Sequence, residues 1–257
     1  MFLRSQKAIV TGSARGLGAV IAQTMWREGA DLLLVDRPQS DIHELRDRLM
    51  ANASGQQAAH SLAVDLSDPA AARAVLDEAR RLWPRLDILV NNAGIQGPIG
   101  MIADNDWAAW RETIQINLLA PAELCKLAIA WMRETGGGRI VNLGGGGVAG
   151  LRPNFSAYAT AKCGLIKFSE TIAAEVAGLG IRVNCIAPGP IDTEGAAPRV
   201  WPNPKVKEMV ARSRALQRFG RVEEIAYPCI FLASDASSYV TGALLIIDGG
   251  EGMRISE

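Results

Sequence analysis

Tyr158 and Lys162 are the residues whose types and spacing point most directly to chemistry. They lie four positions apart, and in a helix this spacing places both side chains on one face. A phenol with an ordinary pKa of about 10 is a poor base at neutral pH, but a neighbouring ammonium group favours its ionised form. The pair predicts an acid/base at Tyr158, whose pKa Lys162 lowers. Such pairs also occur by chance on helices, so the surrounding motifs decide whether this pair is interpreted as catalytic.

The segment 11–18, TGSARGLG, joins an apolar strand-like run to a helical stretch that ends near Gly29. Glycines let the backbone approach a pyrophosphate, and a helix N-terminus offers unpaired N–H groups with a partial positive charge. The segment predicts a dinucleotide phosphate site, with an ordinary glycine-rich turn as the alternative. Asp36 closes the next strand, where a carboxylate accepts hydrogen bonds from ribose hydroxyls. The alternative for Asp36 is a solvated carboxylate at a strand end.

Seven short runs rich in Val, Ile and Leu predict the strands that position these residues. The runs are continuous, which is typical of parallel strands covered by helices on both faces. One intervening segment predicts a covering helix with Ser67 as N-cap, Pro69 in the first turn and Leu82 on its apolar face. We therefore expect an α/β, doubly wound, Rossmann-like parallel sheet in a single domain, 1–257. The predicted strands are 7–11, 31–36, 61–65, 87–91, 139–143, 181–186 and 243–248.

The composition excludes several classes of protein. Of 257 residues, 49% are hydrophobic and 21% are charged, as in a globular protein. Lys and Arg total 27 and balance 27 Asp and Glu, so no net charge attracts nucleic acid or an anionic membrane. The four cysteines form no CxxC pair, which argues against zinc or disulfides and fits a reducing cytoplasm. We expect no signal peptide, and apolar runs shorter than the roughly 18 residues of a membrane span.

The chain resembles the short-chain dehydrogenases/reductases over nearly its whole length. The glycine-rich segment, the tyrosine–lysine pair and Asn117 in a predicted helix match that family's pattern. The resemblance implies an NAD-dependent oxidoreductase that interconverts a secondary alcohol and a ketone. Further matching motifs are Asp65-Leu66 after the third strand, Asn91-Asn92-Ala93-Gly94 after the fourth, Pro188-Gly189-Pro190-Ile191-Asp192-Thr193 after the sixth, and the closing Asp248-Gly249-Gly250.

The resemblance also implies a role for each matching residue. Tyr158 is the catalytic acid/base, Lys162 also binds the nicotinamide ribose, and Asn117 helps to hold a water chain that relays the proton. Asp65 and Leu66 flank the adenine, and the threonine of the sixth-strand motif holds the nicotinamide amide. The expected cofactor contacts are Gly12, Ser13, Arg15, Gly16, Leu17, Gly18, Asp36, Arg37, Asp65, Leu66, Asn91, Ala93, Gly94, Tyr158, Lys162, Pro188, Gly189, Ile191 and Thr193.

Asp36 makes NAD(H) the expected cofactor, because its carboxylate repels the 2′-phosphate of NADP(H). Arg15 and Arg37 keep NADP(H) open, since either guanidinium is able to bind that phosphate. The expected partner is a small alcohol or ketone, with no nucleic acid and no membrane. The resemblance further implies a homotetramer, formed through helices at about 106–134 and 155–178 and through the C-terminal strand.

Gly145 departs from the family pattern, which commonly has a catalytic serine thirteen residues before the tyrosine. That serine donates a hydrogen bond to the substrate oxygen where charge develops, and losing one such donor typically costs on the order of 3 kcal/mol. Backbone N–H groups of the glycine run 144–147, Asn154 or Ser156, or a water are open substitutes. Two functions remain: a dehydrogenase/reductase with a substitute donor, or a dinucleotide-binding sensor or partner subunit with weak or no turnover.

Substrate identity is expected to depend on the loops 95–105 and 146–156 and on a lid at about 190–218. The lid carries Trp201, an apolar plate, and a formal charge of +4 over 194–218. One interpretation is a solvated helix face over 204–216. The other is that Arg199 or Lys205 attracts a carboxylate or phosphate of the substrate. The lid cations are Arg199, Lys205, Lys207, Arg212, Arg214 and Arg218, against Glu194 and Glu208.

Overall fold

The computed structural model describes residues 1–53, 55–145, 151–193 and 203–251. Its strands are β1 Lys7–Thr11, β2 Asp31–Asp36, β3 Ala59–Ala63, β4 Ile88–Asn91, β5 Gly138–Leu143, β6 Ile181–Pro188 and β7 Leu244–Ile247. They form one seven-stranded parallel sheet in the order β3-β2-β1-β4-β5-β6-β7. The chain builds this sheet outward from β1 in both directions, which confirms the predicted doubly wound architecture.

Both faces of the sheet are buried, which explains the continuous apolar runs of its strands. In β1, Ala8 and Val10 pack into the core on one side of the sheet, whereas Ile9 packs on the other. The helices are α1 Gly16–Arg27, α2 Ile42–Met50, α3 Ala71–Leu82, α4 Trp107–Ile114, α5 Ala120–Thr135, α6 Ser156–Val176, α7 Pro204–Arg212 and α8 Glu223–Ala233. Helices α1, α2 and α8 cover the first side of the sheet, and α3, α5 and α6 cover the second.

The predicted bounds of β4, β5, β6 and β7 differ from the structure by one or two residues, and those of β3 and α3 differ for reasons that the structure shows. Strand β3 begins and ends two residues earlier than expected, since its register with β2 ends at the pair Asp36 and Ala63. Helix α3 begins at Ala71, so the predicted N-cap at Ser67 is wrong. Acidic side chains form turns before the helix instead: Asp65 Oδ1 accepts from Ser67 N at 2.9 Å, and Asp68 Oδ1 accepts from Ala70 N at 2.8 Å.

One continuous helical stretch, Trp107–Thr135, is long and apolar enough by length and composition to cross a membrane. This differs from the expectation that apolar segments are too short. The stretch consists of α4, a π-helical turn Gln115–Leu119 and α5. Along α5, Leu124, Ala128 and Met132 are fully buried in the core on one face of the sheet, and core helices pass the same test of length and composition.

Candidate active site

The carboxyl ends of the strands surround a cavity of about 390 Å³. The sheet order reverses between β1 and β4, so the loops that follow these strands run in opposite directions and leave a crevice, the usual position of a ligand in this architecture. Gly94 after β4, Gly145 after β5 and Pro188 at the end of β6 line the cavity. Helix α6 contributes Tyr158 and Lys162 to the same wall.

The glycine-rich loop between β1 and α1 is folded tightly against its neighbours. Gly12 and Gly16 have φ angles of 65° and 56°, in the left-handed region that favours glycine. A Cβ at Gly18 would lie 2.0 Å from the carbonyl oxygen of Gly12, so a side chain is excluded there. Arg15, the N-cap of α1, makes no capping hydrogen bond with its side chain. The loop and helix end therefore fit a dinucleotide pyrophosphate.

Thr11 and Asn92 fasten this loop to the turn after β4. Thr11 Oγ1 accepts hydrogen bonds at 3.1 Å from the backbone N–H groups of Asn92 and Ala93. Asn92 Nδ2 donates to the carbonyl oxygens of Thr11 and Gly12 at 3.0 and 2.9 Å. Sequence reasoning included both residues in its motifs, Thr11 in the segment 11–18 and Asn92 in the turn after the fourth strand, but it gave neither of them a positioning role.

Asp36 lies beside the glycine-rich loop, as the ribose role requires. Its Oδ2 accepts from Ala14 N and its Oδ1 from Arg37 N, both at 2.8 Å. An ionised carboxylate accepts about four hydrogen bonds, so both oxygens keep acceptor capacity for ribose hydroxyls. Arg15 and Arg37 are exposed and make no ion pair within the described ranges. Asp36, Arg15 and Arg37 therefore lie at the same end of the crevice. The carboxylate and the two guanidinium groups have opposite effects on a 2′-phosphate.

Two predicted cofactor contacts, Ser13 and Asn91, are buried and do not line the cavity. Ser13 is fully buried, with its Oγ 3.4 Å from the carbonyl oxygen of Val35. Asn91 is also buried and donates from Nδ2 to Asn142 Oδ1 at 2.8 Å, so its side chain is committed to the core. Asp65, by contrast, is exposed two residues beyond the end of β3. Other predicted contacts stand along the crevice: Leu66 is buried, Ala93 lies against the glycine loop, and Leu17, Gly94, Gly189, Ile191 and Thr193 line the cavity.

Gly145 and the phenol of Tyr158 are in close contact. A Cβ built on Gly145 would lie 2.5 Å from Tyr158 Oη and 3.0 Å from Cε1 and Cζ of the ring. The phenol therefore occupies the space into which a serine side chain at this position would project. A serine requires the phenol to move. Of the open substitutes for the serine hydroxyl, the rest of the glycine run, 146–147, lies outside the described residues.

Lys162 does not act on Tyr158 as the spacing suggested. Its Nζ donates to the carbonyl oxygen of Leu143 at 2.7 Å, and burial lowers its pKa to about 8. Burial raises the pKa of Tyr158, and the opposing influence is the guanidinium of Arg152. Helical spacing correctly places both side chains on one wall, but the lysine extends toward the end of β5 while the phenol packs on Gly145.

Asn117 lies in the π-helical turn between α4 and α5 and is completely buried. Its Oδ1 accepts from Ile95 N at 2.8 Å, and its Nδ2 donates to Ile95 O at 2.7 Å. A Cβ at Gly94 would lie 3.1 Å from Asn117 Oδ1 and 3.3 Å from Lys162 Nζ, so both side chains lie against Gly94 of the loop after β4. The carboxamide is thus used to hold this loop, and π-turns of this kind are frequent at functional sites.

The lid cations are largely paired. Three of the acidic partners lie outside 194–218 and were not anticipated. Asp192, Glu224 and Glu251 each pair with one lid cation. Helix α7 buries none of its residues, which favours the solvated-face interpretation, and Lys205 on it is exposed. Arg199 and Trp201 lie outside the described residues. The pairs are Lys207–Asp192 at 2.8 Å and Arg212–Glu208, Arg214–Glu251 and Arg218–Glu224 at 2.7 Å.

Arg152 and Gln96 are cavity residues that sequence reasoning missed. The Arg152 Cζ lies 4.2 Å from the ring centroid of Phe155 and 5.0 Å from that of Tyr158. The Oε1 of Gln96 is buried and has no hydrogen-bond partner among the described residues. The only signal in the sequence was a cation in the loop that precedes the Tyr158 helix.

Comparison with known proteins agrees with this geometry. Residues 12–251 match a family model described as enoyl-(acyl carrier protein) reductase. A 2-(S)-hydroxypropyl-CoM dehydrogenase from Xanthobacter autotrophicus is 35% identical, covering 96% of this chain and 97% of its own. The FabG 3-oxoacyl-[acyl-carrier-protein] reductase of Salmonella typhimurium is 36% identical, covering 97% and 98%.

A solved structure is similar over the same length. It is described as an NAD(P)-dependent gluconate 5-dehydrogenase from Beutenbergia cavernae with NADP bound at low occupancy. Its TM-score is 0.88, its identity 33%, and the match covers 96% of each chain. Sequence and structure relatives are thus oxidoreductases that share both the fold and the full length of this protein. The chain belongs to the short-chain dehydrogenase/reductase family.

Proposed function

We propose that this protein interconverts a secondary alcohol and a ketone, with Tyr158 as the acid/base and a nicotinamide dinucleotide as the hydride partner. The observation that carries the proposal is the convergence of Tyr158 and Lys162 on a single cavity at the carboxyl ends of the strands. The glycine-rich loop borders that cavity through Leu17 and through the contact of Gly12 with the turn after β4.

The residues have separate tasks in this proposal. The loop 12–18 and the N-terminus of α1 hold the pyrophosphate, Asp36 the adenosine ribose, and Thr193 the nicotinamide amide. A nicotinamide dinucleotide held by these residues would supply the hydride acceptor for oxidation of the carbinol carbon and the hydride donor for the reverse reduction. Tyr158 Oη takes the hydroxyl proton in oxidation and gives it back to the carbonyl oxygen in reduction. Lys162 binds the nicotinamide ribose and, through Asn117 and a water chain, connects the phenol to solvent.

We further propose that NAD(H) is preferred, since Asp36 places a negative charge where the 2′-phosphate of NADP(H) would lie. Asp36 is fixed in that position by two backbone hydrogen bonds. The neighbouring structure that holds NADP shows that the family also accommodates the phosphate. A small alcohol or ketone as substrate, a cytoplasmic location and a homotetramer complete the proposal.

The second candidate is a dinucleotide-binding protein with weak or no turnover. Gly145 favours it, because the hydroxyl that normally supports the substrate oxygen is replaced by hydrogen and the phenol fills the space. The two candidates make different demands on Tyr158, since a pure binding protein does not need the phenol.

The test is NADH formation or consumption with a panel of alcohols and ketones, using wild-type protein and Tyr158→Phe. We expect Tyr158→Phe to abolish oxidoreduction while NADH binding, measured by fluorescence titration, stays within about twofold, because the phenol supplies a proton path. Lys162→Ala is expected to damage both. Substantial turnover by Tyr158→Phe contradicts the acid/base role, and a wild-type protein that binds NADH without turning over any of the panel supports the second candidate.

A further inference from the structure

Among the described residues that line the cavity, Arg152 is the cation that has neither an ion-pair partner nor a role in the proposed reaction. Among the charged side chains that line it, Arg214 and Glu251 form an ion pair with Nη1 and Oε1 2.7 Å apart. Lys162 donates to Leu143 O at 2.7 Å and is assigned to the cofactor. Arg152 makes no ion pair with any residue of the described ranges. The wall beside Tyr158 therefore carries uncompensated positive charge.

Aromatic rings hold this guanidinium in place. The ring centroids of Phe155 and Tyr158 lie 4.2 and 5.0 Å from its Cζ. The guanidinium also makes a side-chain hydrogen bond with Tyr158. It has five N–H donors and no anionic partner among the described residues, so donors remain for an anion. A carboxylate matches the planar fork of a guanidinium with two parallel hydrogen bonds. In a partly buried cavity such a pair is less screened than on the surface.

The residues that follow Arg152 contact neighbouring elements. The carbonyl oxygen of Asn154 accepts from Gly100 N at 2.9 Å, which joins this segment to the loop after β4. At the start of α6, Ser156 Oγ accepts from Trp110 Nε1 at 3.2 Å, which joins it to α4. These contacts position the described segment 152–156, and a positioned binding group reduces the ordering cost of binding.

We propose that Arg152 binds a carboxylate of the substrate, so that the substrate is a hydroxy acid and its product the corresponding oxo acid. The inference rests on the proposed function, because it requires the carbinol carbon to face Tyr158 while the carboxylate faces Arg152. Since the guanidinium adjoins the ring of Tyr158, the carboxylate lies close to the reacting carbon, which favours 2- and 3-hydroxy acids. The anion is thus recognised by Arg152 instead of the lid residues Arg199 or Lys205.

Matched pairs of substrates test this assignment. We would compare kcat/KM for 2- and 3-oxo acids and their methyl esters in wild-type protein, Arg152→Gln and Arg152→Lys. The wild type is expected to favour each reactive acid over its ester by at least about tenfold, Arg152→Gln to lose that preference, and Arg152→Lys to keep part of it. Arg80→Gln is the control, since Arg80 also lies over a ring, at 4.7 Å from Trp131, but outside the cavity. Its preference should equal that of the wild type.

A binding measurement separates this inference from the proposed function. Calorimetric titration of acetoacetate, 2-oxobutyrate and their methyl esters into protein saturated with NAD⁺ gives affinities without turnover. Acid binding that Arg152→Gln weakens by tenfold or more supports the anion site, even if no substrate is turned over. Turnover with equal preference for acid and ester overturns the anion site and leaves the proposed function intact.

Two further outcomes also overturn the anion site. In the first, no oxo acid of the panel binds or reacts. In the second, Arg152→Gln lowers kcat equally for acid and ester and shifts the pH profile, which means that the guanidinium acts on the phenol of Tyr158 instead of on the substrate.

Discussion

Gly145 does more than remove the serine hydroxyl, because the phenol of Tyr158 occupies the space that a side chain at this position would fill. With hydrogen at this position, the phenol packs directly on the backbone, and a Cβ would approach Oη to 2.5 Å. The tyrosine then lies beside Arg152 while Lys162 reaches the end of β5. In this structure the cation that adjoins the phenol is therefore Arg152 and not Lys162.

Gly145→Ser is expected to lower activity by about tenfold, because the new Cβ displaces the phenol and overpacking of this kind typically costs about 1–3 kcal/mol. A restored hydroxyl would raise the rate only in a site with room for the serine side chain, and here the phenol fills that room. The measurement is kcat on a ketone that wild type reduces. Gly145→Ala is the matched control, since it adds the same Cβ without the hydroxyl.

The serine variant is expected to exceed the alanine variant by the contribution of its donor, and both to stay below wild type. A serine variant faster than wild type contradicts the steric argument and means that the missing hydroxyl limited the rate.

Asp36→Ala is expected to reduce the preference for NADH over NADPH. Wild type should bind NADH at least about tenfold more tightly than NADPH. In NADPH the 2′-phosphate meets the like charge of Asp36, and it also replaces the ribose hydroxyl that would donate a hydrogen bond to this carboxylate. In the variant, Arg15 and Arg37 face the phosphate without the opposing carboxylate. Fluorescence titration of both cofactors gives the ratio.

Asp41→Ala, at an exposed carboxylate just before α2, is the control for this titration. It should leave the ratio unchanged. Equal or tighter binding of NADPH by the wild type shows that the guanidinium groups outweigh Asp36.

At the scale of the elements, the sequence predicts the strands well because each one buries both faces. Ala8, Ile9 and Val10 alternate between two cores, and this demand produces an unbroken apolar run that is easy to recognise. The start of α3 was predicted less well, since Ser67 and Asp68 are both good caps by type. Only the three-dimensional turn at Asp65 shows which N–H groups are already satisfied.

The site shows the same division. Helical spacing brought Tyr158 and Lys162 to one wall, but it did not give the direction of their side chains. The phenol packs on Gly145 and the lysine reaches Leu143 O, and both of these contacts are with residues of another part of the chain. Long-range contacts also decided the charge of the lid, where Glu251 pairs with Arg214 from the far end of the chain.

At the scale of the whole molecule, apolar surface remains uncovered on one face of helix α8. Tyr227 and Phe231, four residues apart on this helix, are 63% and 42% exposed. Ile246 on the edge strand β7 is also exposed, but it lies on the opposite side of the sheet, because its neighbours Leu245 and Ile247 pack into the core that α8 covers. Exposed apolar patches are typical of surfaces that associate with another chain, so the α8 face of Tyr227 and Phe231 is a candidate contact surface.

We expect this face to bury itself against a second copy, as in the homotetramer that the family resemblance implies. Multi-angle light scattering should then give about four times the 27.4 kDa of one chain. Tyr227→Glu combined with Phe231→Glu should yield a smaller species, because each charge would have to be desolvated at the interface. Met50→Glu on α2, where the methionine is 40% exposed, is the matched control and should keep the wild-type mass. A monomeric wild type, or a double variant with unchanged mass, shows that this face is not the interface.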